Sequence, residues 1–139
     1  MNIKLGVIFG GVSVEHEVSI ISAVQAMQAL DKEKYDIIPI YITKDRQWYT
    51  GEILKDMETY TDMDLLKRYT SNVSLINKKG KFYLQSKGLF KHIVTELDLI
   101  LPVCHGTNME DGTLQGYLQT VGIPYCESDV ASSSVAQDK

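Results

Sequence analysis

Two loops concentrate the side chains that can do chemistry, and each follows a short apolar run. Residues 10–19 contain two adjacent glycines, Ser13, Glu15 and Glu17, whereas residues 104–112 contain a histidine, two carboxylates and two glycines. Adjacent glycines allow positive φ angles and a close backbone approach to a ligand. A carboxylate at the end of the strand, from Glu15 or Glu17, can bind an ammonium group, so the first loop suits a ligand that carries one.

The same residues also suit an ordinary helix start, and local features do not separate the two interpretations. Ser13 can cap a helix, and the macrodipole favours Glu15 or Glu17 in the first turn. The glycines form neither G-x-G-x-x-G nor G-x-x-x-x-G-K-[ST]. The sequence therefore gives no support to a dinucleotide site or a P-loop phosphate site.

The second loop has three interpretations. His105 suits a packed histidine as well as a ligand contact, and Glu110 and Asp111 suit the N-terminus of the next helix. A metal site would recruit His16, His105 and these two acids, but no pair has a diagnostic ligand spacing, so we predict no metal site. A Cys104–His105 nucleophile pair is disfavoured because neighbours in a strand point to opposite faces.

Alternating strand and helix patterns predict how the first loop is positioned. Ile3–Phe9 is a branched apolar run typical of a buried parallel strand, and Asp36–Ile42 predicts a second strand. Pro39 lacks a backbone donor, which predicts that this strand lies near a sheet edge or carries a bulge. Between the strands, spacings of three and four mark one apolar helix face, formed by Ile20, Ala23, Val24, Met27 and Leu30. Strand, helix and strand predict a right-handed βαβ unit.

The middle third of the chain, residues 44–97, has weaker patterns. A short aromatic strand at Trp48–Tyr49 precedes a charged, weakly helical stretch at 52–68. Apolar segments at 73–76 and 81–84 flank a polar turn that contains glycine, which predicts a hairpin. We expect this region to be a surface elaboration of the fold.

Regular patterns return near the second loop. Leu97–Val103 predicts a strand, a helix begins near Thr113 and ends at Gly122, and Ile123–Cys126 predicts a further strand. A last helix would run to Lys139. The resulting class is α/β, with a mainly parallel sheet flanked by helices. Because ligands bind beyond the carboxyl ends of such strands, both loops should lie at the same edge.

Length, charge and cysteine content narrow the class of protein. The chain has 139 residues, which predicts one domain, and its net charge of −4 comes from 14 basic and 18 acidic residues. No basic stripe or long apolar run is present, so we predict neither a nucleic-acid nor a membrane partner. Cys104 and Cys126 are too few for a disulfide scaffold, and no export signal precedes them, which predicts a cytoplasmic protein.

Three sequence blocks resemble the N-terminal domain of the D-alanine–D-alanine ligases, including the vancomycin-resistance ligases that attach D-serine or D-lactate. The blocks are GVIFGGVSVEHEVS (6–19), LPVCHGTNMEDGTLQGYLQTVGIPY (101–125) and VASSSVAQDK (130–139). Their order and spacing agree with the family over nearly the whole chain. The resemblance implies a Rossmann-like, pre-ATP-grasp domain and an ATP-dependent ligase that makes the dipeptide for peptidoglycan through an acyl phosphate.

The resemblance also implies roles for individual residues. Glu15, as the catalytic residue, would hold and orient the ammonium of the first D-alanine, and Val18 would line the same pocket. His105 would lie near that substrate's carboxylate, and Lys139 would reach the ATP phosphate. A small zwitterion needs an anion and a donor a few ångströms apart, so the carboxylate and the imidazole at adjacent strand ends suit it.

The chain departs from the family pattern at three places and in length. Met109 occupies a usual glycine position, Gln137 a usual methionine position, and Cys126-Glu127-Ser128 is unusually polar. The ATP-grasp domains that would bind most of the ATP and the Mg²⁺ are absent, so we expect a part of a longer, homodimeric enzyme that is inactive alone. The rival hypotheses are a freestanding α/β module that binds a small ligand without catalysis and a metal-dependent hydrolase.

Overall fold

The computed structural model describes residues 2–11, 16–103 and 113–126. Helices and strands alternate at the two ends of this part of the chain, and short strands fill its middle. In chain order the elements are β1 (Ile3–Gly10), α1 (His16–Ala29), β2 (Tyr35–Ile42), β3 (Trp48–Thr50), two 3-10 helices (Glu52–Lys55 and Met57–Thr61), α2 (Met63–Arg68), β4 (Ser71–Lys78), β5 (Lys81–Ser86), β6 (Ile93–Leu97), β7 (Leu99–Val103) and α3 (Thr113–Val121).

The strands form one sheet of mixed direction, in the order β6-β5-β4-β3-β2-β1-β7. β1 pairs in parallel with β2 and with β7, whereas the pairings from β2 through β6 are antiparallel. The α/β class is confirmed, but the sheet is mixed, and only its half with the two loops is parallel. Strands β3 and β4 are joined through two 3-10 helices and α2, whereas the connections β2–β3, β4–β5 and β5–β6 are short, which suits antiparallel neighbours. The predicted hairpin is one example, with its turn at Lys79 and Gly80, both at positive φ.

The sheet curls so that its two end strands meet. The sequence predicted a single strand at 97–103, but Asp98 divides it into the end of β6 and the whole of β7. These two strands are the opposite ends of the hydrogen-bonded order. Asp98 is fixed against β1, since its N–H donates to the Lys4 carbonyl at 2.8 Å and its carboxylate accepts from the Lys4 N–H at 2.9 Å.

Apolar side chains cover both faces of the sheet. Alternate residues of β1 point to opposite faces, as a strand requires. One face packs against α1 through Leu5, Val7, Phe9, Ile20, Ala23, Val24, Met27, Leu30, Leu101 and Val103. The other packs against α3 through Ile8, Ile40, Ile42, Leu97, Ile100, Leu114, Leu118 and Ile123. The predicted apolar face of α1 is therefore confirmed.

The middle third belongs to the core, so the expectation of a surface elaboration was wrong. Leu54 and Leu66, from a 3-10 helix and α2, are fully buried on the α1 side. Val73, Leu75 and Leu84, from β4 and β5, are buried on the α3 side. The two 3-10 helices and α2 are at most six residues long, so their apolar residues do not repeat often enough to form a clear pattern in the sequence.

The prediction that the strand with Pro39 lies near a sheet edge or carries a bulge was wrong. Its strand, β2, lies between β1 and β3, and Pro39 pairs in register with Val7. β3 pairs with β2 only over Ile40–Ile42, so Pro39 lies just beyond that short ladder. Its carbonyl accepts from the Thr50 hydroxyl at 2.7 Å. A proline is tolerated in this interior strand because its neighbour on one side is so short.

The segment after β7 agrees with the sequence in its helix but not in its last strand. α3 ends before Gly122, whose φ is 95° and whose N–H donates to the Leu118 carbonyl at 2.9 Å. The predicted strand at 123–126 is reduced to one parallel bridge between Tyr125 and Ile100. Pro124 has no N–H to extend the ladder. The predicted last helix, to Lys139, lies outside the described residues.

Across the ranges that the structure describes, no helix combines the length and the apolar character needed to cross a membrane.

Candidate functional site

The carboxyl ends of three parallel strands meet at one edge of the sheet. Gly10 of β1 pairs with Ile42 of β2, and Phe9 pairs with Val103 of β7. The chain leaves β1 and β7 side by side, so the segments that follow them, 11–15 and 104–112, start from the same edge. The strand ends agree with the expectation that both loops lie at one edge, and the loop residues 12–15 and 104–112 themselves lie outside the described residues.

The glycine pair at the end of β1 has a specific backbone role. Gly10 and Gly11 both have a φ of 92°, a conformation that residues with a side chain rarely adopt. A Cβ on Gly10 would lie 2.3 Å from the Ile42 carbonyl oxygen. That same oxygen accepts from the Gly11 N–H at 2.7 Å. The loop is therefore drawn against the end of β2, and only glycine permits the approach.

Ser19 joins the ends of β1 and β7 through one buried hydroxyl. It lies in the first turns of α1 and is 0% exposed. Its oxygen accepts from the Gly10 N–H at 3.0 Å and donates to the Val103 carbonyl at 2.6 Å. The last residues of β1 and β7 are thus fixed to each other and to the helix that follows the first loop.

His16, the first residue of α1, is only 4% exposed. Its imidazole is hydrogen-bonded to Gly11 on one side and to Tyr41 on the other. Its Nδ1 is hydrogen-bonded to the Gly11 carbonyl oxygen, and its Nε2 lies 2.7 Å from the Tyr41 hydroxyl oxygen. A carbonyl can only accept, so Nδ1 carries the proton and the Tyr41 hydroxyl donates to Nε2. These two hydrogen bonds fix the orientation of the imidazole ring.

The imidazole of His16 packs against a cluster of aromatic rings centred on Tyr41. The ring of Tyr41 lies 5.4 Å from His16, 5.6 Å from Phe9 and 5.3 Å from Tyr60, between centroids. Burial, followed by the charges of Asp45 and Glu17, raises the pKa of Tyr41 to about 12. Burial also raises the pKa of Tyr60, whose hydroxyl donates to the Leu54 carbonyl at 2.6 Å. Both hydroxyls are therefore protonated donors at neutral pH.

The outer surface of α1 adjoins the same edge. Val18 is 48% exposed and Ile21, one turn later, is 46% exposed, although both are aliphatic. Glu17 is exposed in the first turn, where the positive end of the helix dipole favours its charge. Exposed aliphatic side chains at the start of α1 are suited to contact the apolar part of a small ligand.

Of the site residues predicted from sequence, the structure describes Val18, whose exposure agrees with a pocket-lining role but does not test it. The other assigned residues lie outside the described ranges, so their roles stay predictions: Glu15, His105 and Lys139. The same holds for the loop and tail positions Cys104, Met109, Glu110, Asp111 and Gln137. Among the residues that are described, no group of three or more His, Cys, Asp or Glu side chains could hold a metal ion.

Sequence reasoning missed the roles of His16, Ser19 and Tyr41. His16 was considered only as a metal ligand, and Ser19 only as part of a motif. Their partners lie 25 residues away for the His16–Tyr41 pair and 84 residues away for the Ser19–Val103 pair. The available signal was Ser19 itself, a serine three residues into a helix and on its apolar side, where a hydroxyl requires a partner.

The family of the chain follows from comparison with known proteins. A family profile described as "D-ala D-ala ligase N-terminus" matches residues 4–128. The D-alanine–D-alanine ligase of Thermosipho melanesiensis is 42% identical over 137 residues, which cover 99% of this chain and 37% of that protein.

Two solved structures are similar to it in fold and in sequence. The VanG D-Ala:D-Ser ligase from Enterococcus faecalis has a TM-score of 0.70 at 34% identity, covering 95% of this chain and 38% of that one. The D-alanine–D-alanine ligase from Coxiella burnetii has a TM-score of 0.74 at 31% identity, covering 89% and 34%. The chain thus spans little more than a third of its relatives, and it belongs to the D-ala D-ala ligase N-terminus family.

Proposed function

We propose that this chain is the domain that binds the first D-alanine in an ATP-dependent D-alanine–D-alanine ligase, or in a ligase of the D-Ala–D-X type. One observation carries the proposal: the strands before the two motif loops end side by side and are joined through Ser19. Two loops from one edge can contact the two ends of a single small molecule. Family membership supports D-alanine as that molecule.

In this proposal Glu15 is the catalytic carboxylate that binds the ammonium of the first D-alanine, and His105 donates near its carboxylate. Val18 lines the methyl side of the pocket, in agreement with its exposed aliphatic side chain. An ion pair of this kind is favourable when both partners are fixed and partly removed from water. The hydrogen bonds of Ser19 and His16 supply such fixed loop ends.

ATP would supply the phosphoryl group that activates the carboxylate of the first D-alanine, and the amine of the second substrate would then attack. Lys139 is the proposed contact of this chain with the ATP phosphates. Most of the ATP and the Mg²⁺ would be bound by the domains that make up the remaining length of the relatives. We further propose a homodimeric full-length enzyme whose dipeptide enters peptidoglycan.

The test uses the product of the full reading frame. We expect D-alanine-dependent release of phosphate from ATP, with D-serine and D-lactate compared as second substrates. Replacing one partner of a desolvated charge pair costs about 2–5 kcal/mol, so Glu15→Gln should raise the KM for D-alanine by about 30-fold or more. Glu17→Gln is the matched control, because Glu17 is exposed two residues further on.

Two results would contradict the proposal. A full-length protein without D-alanine-dependent ATP turnover would remove the assigned activity. A Glu15→Gln variant with the wild-type KM would remove the assigned site. We also expect the isolated 139-residue chain to be inactive, and turnover by a pure sample of it would disprove that part.

A further inference from the structure

A side-chain hydrogen bond bridges the two residues that flank the segment with Glu15. Four residues, 12–15, separate Gly11 from His16. The imidazole of His16 reaches back across this gap to the Gly11 carbonyl oxygen, so the residue after the loop is bonded to the residue before it. The bridge is buried, since both His16 and Gly11 belong to the buried part of the chain.

The bridge is also attached to the sheet. Gly11 donates to the carbonyl of Ile42, the last residue of β2, and the preceding residue Tyr41 donates to Nε2 of His16. The last two residues of β2 therefore hold Gly11 and His16, the residues that flank the segment with Glu15. The Tyr41 hydroxyl has a second effect, because it occupies Nε2 and leaves the ring proton on Nδ1, where the Gly11 carbonyl needs it.

We infer that His16 is a positioning residue for substrate binding, and that it acts by fixing the chain immediately next to Glu15. The inference depends on the proposed function of Glu15. Glu15 directly precedes His16 in the sequence, and consecutive Cα atoms lie about 3.8 Å apart, so a fixed His16 limits where the backbone that carries the carboxylate can be placed. Tyr41 acts one step further away by selecting the tautomer of His16.

A purely structural role predicts a different pattern of effects. If the bridge only stabilised the fold, its loss would lower the thermal midpoint and leave the KM of the folded fraction unchanged. As a positioning residue, His16 should affect the KM for the first D-alanine in protein that remains folded. Displacing a binding group by about 1 Å can cost a factor of roughly 100.

The test measures KM and kcat in the full-length protein, together with the thermal midpoint of each variant. His16→Ala should raise the KM for the first D-alanine about 10- to 100-fold. His16→Asn should restore much of the affinity, because its amide can donate from about the position of Nδ1 and needs no tautomer. Tyr41→Phe should give an intermediate increase in KM, since it frees the tautomer but keeps the imidazole.

The matched control is Tyr60→Phe. It removes a part-buried tyrosine hydroxyl of the same aromatic cluster, which donates to the Leu54 carbonyl at 2.6 Å, and among the described contacts Tyr60 has none with His16. We expect a lower thermal midpoint and an unchanged KM. If His16→Ala fails to fold, Tyr41→Phe still tests the inference because it nearly preserves side-chain volume, and His16→Asn tests it because it keeps a donor for the Gly11 carbonyl.

Glu15→Gln distinguishes a failure of the positioning role of His16 from a failure of the proposed function. If it raises the KM but Tyr41→Phe and the His16 variants do not, the positioning role is wrong and the proposed function survives. Equal increases in KM for Tyr60→Phe and Tyr41→Phe would also overturn the positioning role. If Glu15→Gln leaves the KM unchanged, the proposed function fails and this inference fails with it.

Discussion

Ser19→Ala tests whether one hydroxyl holds the two motif loops together. The substitution removes the acceptor of the Gly10 N–H and the donor to the Val103 carbonyl in a site that is fully buried. A buried polar backbone group without a partner costs about 1–3 kcal/mol. Because the two groups share one site and can relax together, we expect a total loss of about 2–4 kcal/mol rather than the full sum.

The loss is large relative to the stability of a domain of this size. Single domains are stable by about 5–15 kcal/mol, and the thermal midpoint should fall by an amount on the order of 10 °C. We would measure the free energy of unfolding of the 139-residue chain by urea titration, followed by circular dichroism. Ser74→Ala is the control, because Ser74 has no side-chain hydrogen bond among the residues that the structure describes and is only half-buried in β4. Surface substitutions of this kind stay within about 0.5 kcal/mol.

A loss below about 1 kcal/mol would refute the reasoning, since it would mean that both backbone groups find other partners. A loss equal to that of the control would mean that the hydroxyl contributes nothing. The full-length protein offers a second readout. If Ser19 sets the relative positions of the two loops, Ser19→Ala should also raise the KM for D-alanine, and an unchanged KM would limit its role to folding.

Three further outcomes can be checked by urea denaturation of the same chain. Gly10→Ala should cost more than about 3 kcal/mol, because its φ is 92° and its Cβ would lie 2.3 Å from the Ile42 carbonyl oxygen. Gly116→Ala, in α3 and with open space around the new Cβ, should instead stabilise by about 0.5–1 kcal/mol. Folding raises the pKa of Tyr41 from 10.0 to about 12 and raises that of Tyr60, so stability should be lost as the pH rises through this range. Tyr41→Phe or Tyr60→Phe should flatten that loss, and an unchanged alkaline transition in both variants would contradict the assignment.

Elements with a repeated pattern could be predicted from the sequence. β1 and α1 combine length with a clear apolar period, and the apolar residues predicted for the helix are the ones buried against the sheet. The end of α3 was predicted correctly from Gly122, whose positive φ and hydrogen bond to Leu118 end the helix. In these elements local preference and burial agree, so the sequence alone carries the information.

Long-range geometry could not be predicted. Nothing in the run Leu97–Val103 reveals that Asp98 turns the chain from one end of the sheet to the other, because the turn depends on a hydrogen bond to Lys4. Likewise, the local sequence around Tyr41 contains no sign that its hydroxyl serves His16. Such contacts are decided by which strands become neighbours, and that choice is made by the whole fold.

The mixed sheet explains how one half of the domain can be specialised for a site. If Glu15 and His105 contact opposite ends of one zwitterion, any slip between β1 and β7 would alter the distance between them directly. The parallel register of Phe9 with Val103 prevents a slip of this kind, because a shift by one residue would turn every side chain of β7 to the wrong face. The Ser19 hydroxyl then fixes the last residue of each strand. The antiparallel strands have no part in this register, so their contribution is to bury the second face of the sheet while the three parallel strands determine the spacing between the loops.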